Sequence, residues 1–196
     1  MVSEKISSIT TSLLPSVGKS LYNLRSGDTH SLWNHPALMA PETIEIHSTD
    51  LEPAFVIGLT HSGKGVGANL SPQLSWTGVP NATGQLLLVI EDTDVPLPRP
   101  IIHTVALLGP NHLALPTGGL APATRELVFL PASFRRRGYQ GPRPIPGHGA
   151  HHYGFNLFAL ANEVASPDRI QSWRQLLETV YGTVLARGRL VAVQER

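Results

Sequence analysis

The chain contains no cysteine, which removes disulfide frameworks, thiolate nucleophiles, CxxC redox pairs and zinc knuckles together. Charge is also scarce: 15% of the 196 residues are charged, against about 25% in an average soluble domain. The formal net charge is +1, too small for an electrostatic footprint on nucleic acid. The one dense basic run, Arg135-Arg136-Arg137, is short enough to read as a solvated loop. No apolar stretch approaches the roughly 20 residues that span a bilayer. Met1-Val2-Ser3-Glu4-Lys5 is followed by mixed Ser and Thr, without the apolar core of a signal peptide. These absences predict a cytoplasmic address, no transmembrane segment and no nucleic-acid partner.

Hydrophobic residues, by contrast, make up 41% of the chain, with 18 glycines and 17 prolines among the rest. Prolines cost about 3 kcal/mol each in helix interiors, so a long-helix bundle is excluded. The glycine and proline show no collagen period, and many apolar runs argue against disorder. A compact, turn-rich, mainly β domain is predicted.

Two regions differ in texture. In residues 1–41, Leu13, Val17, Leu21 and Leu24 recur at helical spacing, which predicts a partly helical arm packing that face on the body. Residues 42–196 form the main domain. Its predicted strands are Thr43–His47, Ala54–Thr60, Gln85–Glu91, Ile101–Leu108, Glu126–Leu130 and Tyr153–Leu160, short apolar runs between turn residues. Gln85–Glu91 and Ile101–Leu108 are almost continuously apolar, the pattern of strands buried on both faces. The proline-rich segments 95–100 and 141–146 must be loops, because proline lacks the ladder donor. Ser166-Pro167 reads as a helix start. Ile170, Trp173, Leu177 and Val180 then share a face, and Gly182 is the stop. Leu190–Val193 reads as a strand or a tail on the body.

Three segments carry chemical promise. Glu91-Asp92-Thr93-Asp94-Val95-Pro96 ends a hydrophobic strand in three carboxylates and a proline turn. His103 lies inside an apolar strand. Gly141-Pro142-Arg143-Pro144-Ile145-Pro146-Gly147 is a stiff loop leading to His148, His151, His152 and Tyr153. His-x-x-His-His offers three imidazoles. His151 and His152, adjacent in a strand, should face opposite ways, and the spacing does not converge the three, so no metal is predicted. Ser71 and Ser75 lack the G-x-S-x-G elbow of a serine hydrolase.

Together these segments resemble a known family. Gly67-x-Asn69-x-Ser71-Pro72-x-Leu74-x-Trp76, the Asp92-Thr93-Asp94-Val95-Pro96 box, His103, and Gly141 through Tyr153 are similar, in order, to the motifs of phosphatidylethanolamine-binding proteins. The resemblance covers about residues 42–194. It implies a β-sandwich with a large central antiparallel sheet and a second smaller sheet, plus a C-terminal helix. It also implies a pocket for a small anion, phosphate- or carboxylate-bearing. Carried onto this chain, the ligand-binding set is Asp92, Asp94, Pro96, His103, Gly141, Pro142, Arg143, Pro144, His151 and Tyr153. Two imidazoles and a phenol supply directional donors to an anion, and a nearby carboxylate fixes a histidine's protonation or tautomer.

This chain departs from the family pattern at Thr93, where a proline is usual, and at His152, where an arginine is usual. Arg143 adds a cation at the pocket rim. Three readings follow. The first is a module that binds a small anionic ligand or metabolite. The second, suggested by fungal relatives in specialised-metabolite pathways, is a cofactor-independent isomerase, cyclase or lyase. Asp92, His103 and His151 would be its catalytic acid–base groups. The third is an inhibitor of a partner protein, as some relatives inhibit proteases. Kinase regulation and floral signalling, known for other members, do not transfer.

Overall fold

A computed structural model describes residues 15–196. Residues 15–21 are helical (α1), and eight strands follow: β1 Glu45–His47, β2 Leu74–Thr77, β3 Gln85–Asp92, β4 Ile101–Leu108, β5 Ala114–Leu115, β6 Val128–Phe129, β7 His151–Leu160 and β8 Val184–Gln194. Helix α2, Trp173–Val180, lies between β7 and β8. The strands form two antiparallel sheets, one ordered β1-β2-β5 and one ordered β6-β4-β3-β7-β8. The protein is thus mainly β, with one large and one small sheet.

The central strand β3 shows why the layers stack as they do. Its side chains alternate between faces at a period of two. Leu86, Leu88 and Ile90 join a core with Ile46, Leu74, Trp76 and Leu115 of the small sheet. Leu87 and Val89 join a second core with Leu176, Leu177 and Val180 of α2, and with Leu32, Trp33 and Leu38. Covered on both faces, β3 and β4 are buried almost end to end. That is the environment their unbroken apolar character predicts.

Several elements differ from expectation. Ala54–Thr60 is a succession of turns. Phe55 adopts φ 52° and its N–H bonds back to Leu51 O; Val56 touches β8 only through an isolated bridge to Val193. Local hydrogen bonds there outcompete the ladder that Phe55, Val56 and Ile57 would favour. The last strand is far longer than Leu190–Val193, because Arg187, Gly188 and Arg189 disguise it. Arg187 turns inward, stacking 4.0 Å from the Trp33 ring centroid and bonding Trp33 O and Glu42. A Cβ on Gly188 would meet Ile44 O at 2.1 Å, so the strand needs that glycine. Strands β2 and β5 went unmarked because each is short. Glu126–Leu130 shrinks to Val128–Phe129.

The C-terminal helix is capped by Ser172, whose Oγ accepts from Gln175 N, not by Ser166. Ser166-Pro167 instead opens a single 3-10 turn with Ser166 at φ 50°. Ile170, Leu177 and Val180 are buried as their spacing predicts, and Gly182, at φ 74°, ends the segment. The arm packs on the body by an unexpected face. Val17 and Leu24 are exposed, and Leu13 lies outside the described residues. Contact is made instead through Gly18, which lies against the backbone of Pro146, Gly147 and His148.

Candidate functional site

A cavity of about 430 Å³ opens where β3, β4 and β7 end on the small-sheet side. Asp92 is the last residue of β3 and is paired with Tyr153 of β7. On β7, His151 and Tyr153 point the same way as core residues Phe155 and Leu157, so both enter the cavity. His152, between them, is exposed, as alternation requires.

His103 reaches the cavity by a different route. The β3–β4 register passes from Ile90↔Thr104 to Glu91↔Ile102, leaving His103 as the extra residue of a β-bulge. A bulge re-aims its side chain. Strict alternation would have put His103 with Val105 and Leu107 beneath α2. The bulge turns it to the opposite face, into the cavity.

Hydrogen bonds then set each group's role. His103 Nδ1–H donates to Gln140 O at 2.6 Å, which leaves Nε2 as the free ring nitrogen. That Nε2 and the Tyr153 hydroxyl are buried with no hydrogen-bond partner among the described residues. Burial lowers the His103 pKa, opposed by the Asp92 charge and the Gln140 carbonyl and assisted by Arg143 and His151. The imidazole is therefore neutral and presents a lone pair. Burial, reinforced by the charge of the Asp92 carboxylate and by its proximity to the phenol as an acceptor, raises the Tyr153 pKa, so the phenol stays protonated and remains a donor. The two rings meet edge to face, with centroids 5.4 Å apart.

Behind this floor runs a chain of contacts. Asp92 Oδ2 lies 2.8 Å from His151 Nδ1. His151 Nε2 lies 2.7 Å from His148 Nδ1. His148 Nε2 ends the chain on two arm carbonyls, Leu21 O at 2.9 Å and Leu24 O at 3.1 Å. His148 and His151 thus converge, contrary to the reading from spacing, but on each other's ring nitrogens.

The expected site residues separate into two groups. Asp92, Pro96, His103, Gly141, Arg143, Pro144, His151 and Tyr153 line the cavity. Asp94 and Pro142 do not. Asp94 turns away, bonding Arg25 at 2.7 Å and both the backbone N–H and Nδ1 of His152. Burial works to raise its pKa, but the His152 and Arg25 contacts outweigh that and hold it below the usual carboxylate range. Pro142 contributes only its carbonyl, which accepts Gly63 N–H.

Other participants went unmarked in the sequence. Asn69 is the pin of the 141 loop: its Oδ1 accepts Gly141 N–H and its Nδ2 donates to Tyr139 O. It stands inside the quoted Gly67-x-Asn69 motif, so a signal existed. A Cβ on Gly141 would come within 2.3 Å of His61 O, which explains the glycine beside it. Lys64 and Arg136 join Arg143 as exposed cations around the mouth. Nothing local marked Lys64, and Arg136 belongs to the basic run read as a solvated loop; the two come from separate loops.

Residues 47–195 match the phosphatidylethanolamine-binding protein family. The chain belongs to that family. A UPF0098 protein of Methanothermobacter thermautotrophicus is 31% identical over 134 residues, covering 66% of this chain and 85% of the relative. Phomoidride biosynthesis cluster protein B of a fungal species is 29% identical over 159 residues, 76% of each chain. A crystal structure of a phosphatidylethanolamine-binding protein homologue from Chlamydia trachomatis superposes with a TM-score of 0.69. It is 27% identical and covers 79% of this chain and 99% of its own. No helix among the described residues is long and apolar enough to cross a membrane.

In this family member the buried His103 links stability to pH. Its folded pKa lies below the ordinary 6.5, so between those values the unfolded chain binds a proton that the folded one refuses. Stability is therefore complete above about pH 6.5 and falls as pH drops, by at most about 1.4 kcal/mol per pH unit for one proton. Urea midpoints measured from pH 7.5 to 5 should decline less steeply in His103→Phe than in the natural protein.

Proposed function

We propose that the cavity binds a small acidic ligand through a phosphate or carboxyl group. The observation that carries this reading is the pair of unpartnered polar atoms on its floor, His103 Nε2 and Tyr153 Oη. A buried polar group without a partner costs about 1–3 kcal/mol, and a ligand that supplies both partners recovers it. The pair is complementary: Tyr153 donates, and neutral His103 accepts. A group carrying both an oxygen acceptor and an O–H donor satisfies the two at once, as a phosphate monoanion does. Lys64, Arg136 and Arg143 at the mouth raise the local concentration of such anions.

Titration calorimetry with inorganic phosphate tests this directly. Tyr153→Phe removes only the donor, and a hydrogen bond to a charged group contributes about 1.5–3 kcal/mol. The expected loss is roughly 10- to 100-fold in affinity. An unchanged affinity would move the ligand away from this floor.

A second reading is favoured by the same His103 nitrogen, a neutral base buried at the cavity floor. The similarity to two phomoidride biosynthesis cluster proteins, 29% and 27% identical, suggests an acid–base step in specialised metabolism. His103 Nε2 would take a proton from carbon next to a carbonyl and hold it as the imidazolium, while the Tyr153 O–H, keeping its proton, hydrogen-bonds the carbonyl oxygen of the enolate that forms. Deuterium washing from solvent into that carbon of a bound keto acid, and its loss in His103→Phe, would support catalysis. Binding without any such exchange would leave the binding module alone.

A further inference from the structure

The contact chain behind the cavity ends on the N-terminal strap, and its proton count carries a consequence. His148 Nε2 faces carbonyl oxygens of Leu21 and Leu24, so it must carry a hydrogen. The 2.7 Å contact between His148 Nδ1 and His151 Nε2 needs one more hydrogen, on whichever of the two nitrogens carries it. His151 Nδ1 still faces the Asp92 carboxylate at 2.8 Å, and that contact needs a hydrogen as well. Three hydrogens on these three side chains sum to zero charge.

Without the strap the count changes. His148 Nε2 no longer needs a hydrogen, so His148 can carry its proton on Nδ1 and donate to His151 Nε2. His151 then donates from Nδ1 to Asp92. Both side-chain contacts survive with two hydrogens, and the network carries one negative charge. A docked strap thus favours the neutral network, and a lifted strap opens the negative one. Asp92 lines the cavity, so that negative charge would face any bound anion.

We infer that His148 is a positioning residue that couples the strap, residues 15–27, to the cavity, so that anion binding tightens the strap and strap docking strengthens anion binding. The coupling is reciprocal by thermodynamic necessity. Other groups around the network are compatible with it. On the cavity side are His103, Arg143 and the Tyr153 ring, stacked 6.4 Å from His151. On the strap side, Arg25 bonds Asp94, Ala150 O and His148 O, and Asp94 in turn holds His152. The strap is fastened further by Ser26 N–H to Val95 O and Gly27 N–H to Thr93 O. Both acceptors lie within three residues of Asp92, in the turn that also forms a cavity wall.

This inference rests on the anion-binding reading, and two measurements separate their failures. The first is amide hydrogen exchange at Ser26 and Gly27 in the full chain, with and without saturating inorganic phosphate. Phosphate should slow exchange by at least about fivefold, the lower end of typical site–site coupling. His148→Gln should keep the response, since its amide oxygen can accept from His151 and its N–H can donate to the carbonyls. His148→Leu, saturated with phosphate, should lose it. Unchanged strap exchange in the saturated natural protein overturns the coupling, as does a full response in His148→Leu.

The second is nitrogen NMR of the unliganded protein, which should show His148 Nε2 protonated, with a coupling across the hydrogen bond between His148 and His151. The Nδ1–H tautomer overturns the inference whether or not phosphate binds. Should His148→Leu fail to fold, Gly18→Ala serves instead. Its Cβ would fall 2.0 Å from Pro146 O, which lifts the strap and leaves the three side chains intact. Phosphate affinity should fall about fivefold, and an undiminished affinity overturns the coupling.

Discussion

Phosphate is expected to bind this cavity about 100-fold more tightly than sulfate at pH 7. The two ions match in size and shape, but near neutrality only phosphate carries a proton. Its O–H can donate to His103 Nε2 while another oxygen accepts from Tyr153. Sulfate places an oxygen lone pair against the His103 lone pair. That leaves a buried acceptor unpaired and adds repulsion, a cost of about 3 kcal/mol at the upper end for one unsatisfied group. Sulfate can bind well only if His103 first takes up a proton, which burial opposes. Its affinity should therefore rise as pH falls below 7, while the preference for phosphate narrows. Calorimetry with both ions at pH 7.5 and 5.5 checks the ratio and its direction. Equal affinities at neutral pH would mean that His103 does not present an acceptor.

Glu91→Ala is expected to destabilise the fold by about 3–5 kcal/mol, more than any change in the cavity. Glu91 is completely buried on the face of β3 opposite Asp92. Its two oxygens accept from Ser31 Oγ at 2.6 Å, Leu32 N at 2.8 Å, Trp33 N at 3.1 Å and Asn156 Nδ2 at 2.9 Å. These bonds fasten residues 31–33 over the centre of the large sheet. Removing the carboxylate strands three buried donors and leaves Trp33 N with only its 3.1 Å bond to Ser31 Oγ, and each unsatisfied group costs about 1–3 kcal/mol before relaxation. A chain of this size loses about 2–4 °C of Tm per kcal/mol, so a drop on the order of 10 °C is expected in a thermal scan. Glu91→Gln keeps the shape and one acceptor, and should cost markedly less. Similar losses in the two variants would show that the donors find other partners.

Glu91 also marks the limit of sequence reading. Glu91, Asp92 and Asp94 stood out together as a carboxylate cluster at the end of a strand. The structure sends them to three destinations: Glu91 to the arm-side core, Asp92 to the cavity, and Asp94 to Arg25 and His152 outside it. Alternation along β3 separates Glu91 from Asp92. The turn after it decides Asp94, which no short-range rule reached.

The sequence by itself determined the family, the mainly β class and the opposed facing of His151 and His152, while the resemblance implied Pro96, Gly141, Arg143 and Pro144, which the structure places around the cavity. These follow from motif order, proline's missing donor and the two-residue period of strands, all properties of neighbouring residues. Tertiary structure alone decided the rest. His103 enters the cavity because a bulge breaks the period at that residue, and a bulge exists only once two strands pair. His103 presents a lone pair because Gln140, 37 residues away, holds the other nitrogen. His148 joins Asp92 and His151 because carbonyls from Leu21 and Leu24, more than 120 residues earlier, cap its ring. Which nitrogen bears a proton is set by the partner opposite it, and partners so distant meet only after the chain has folded.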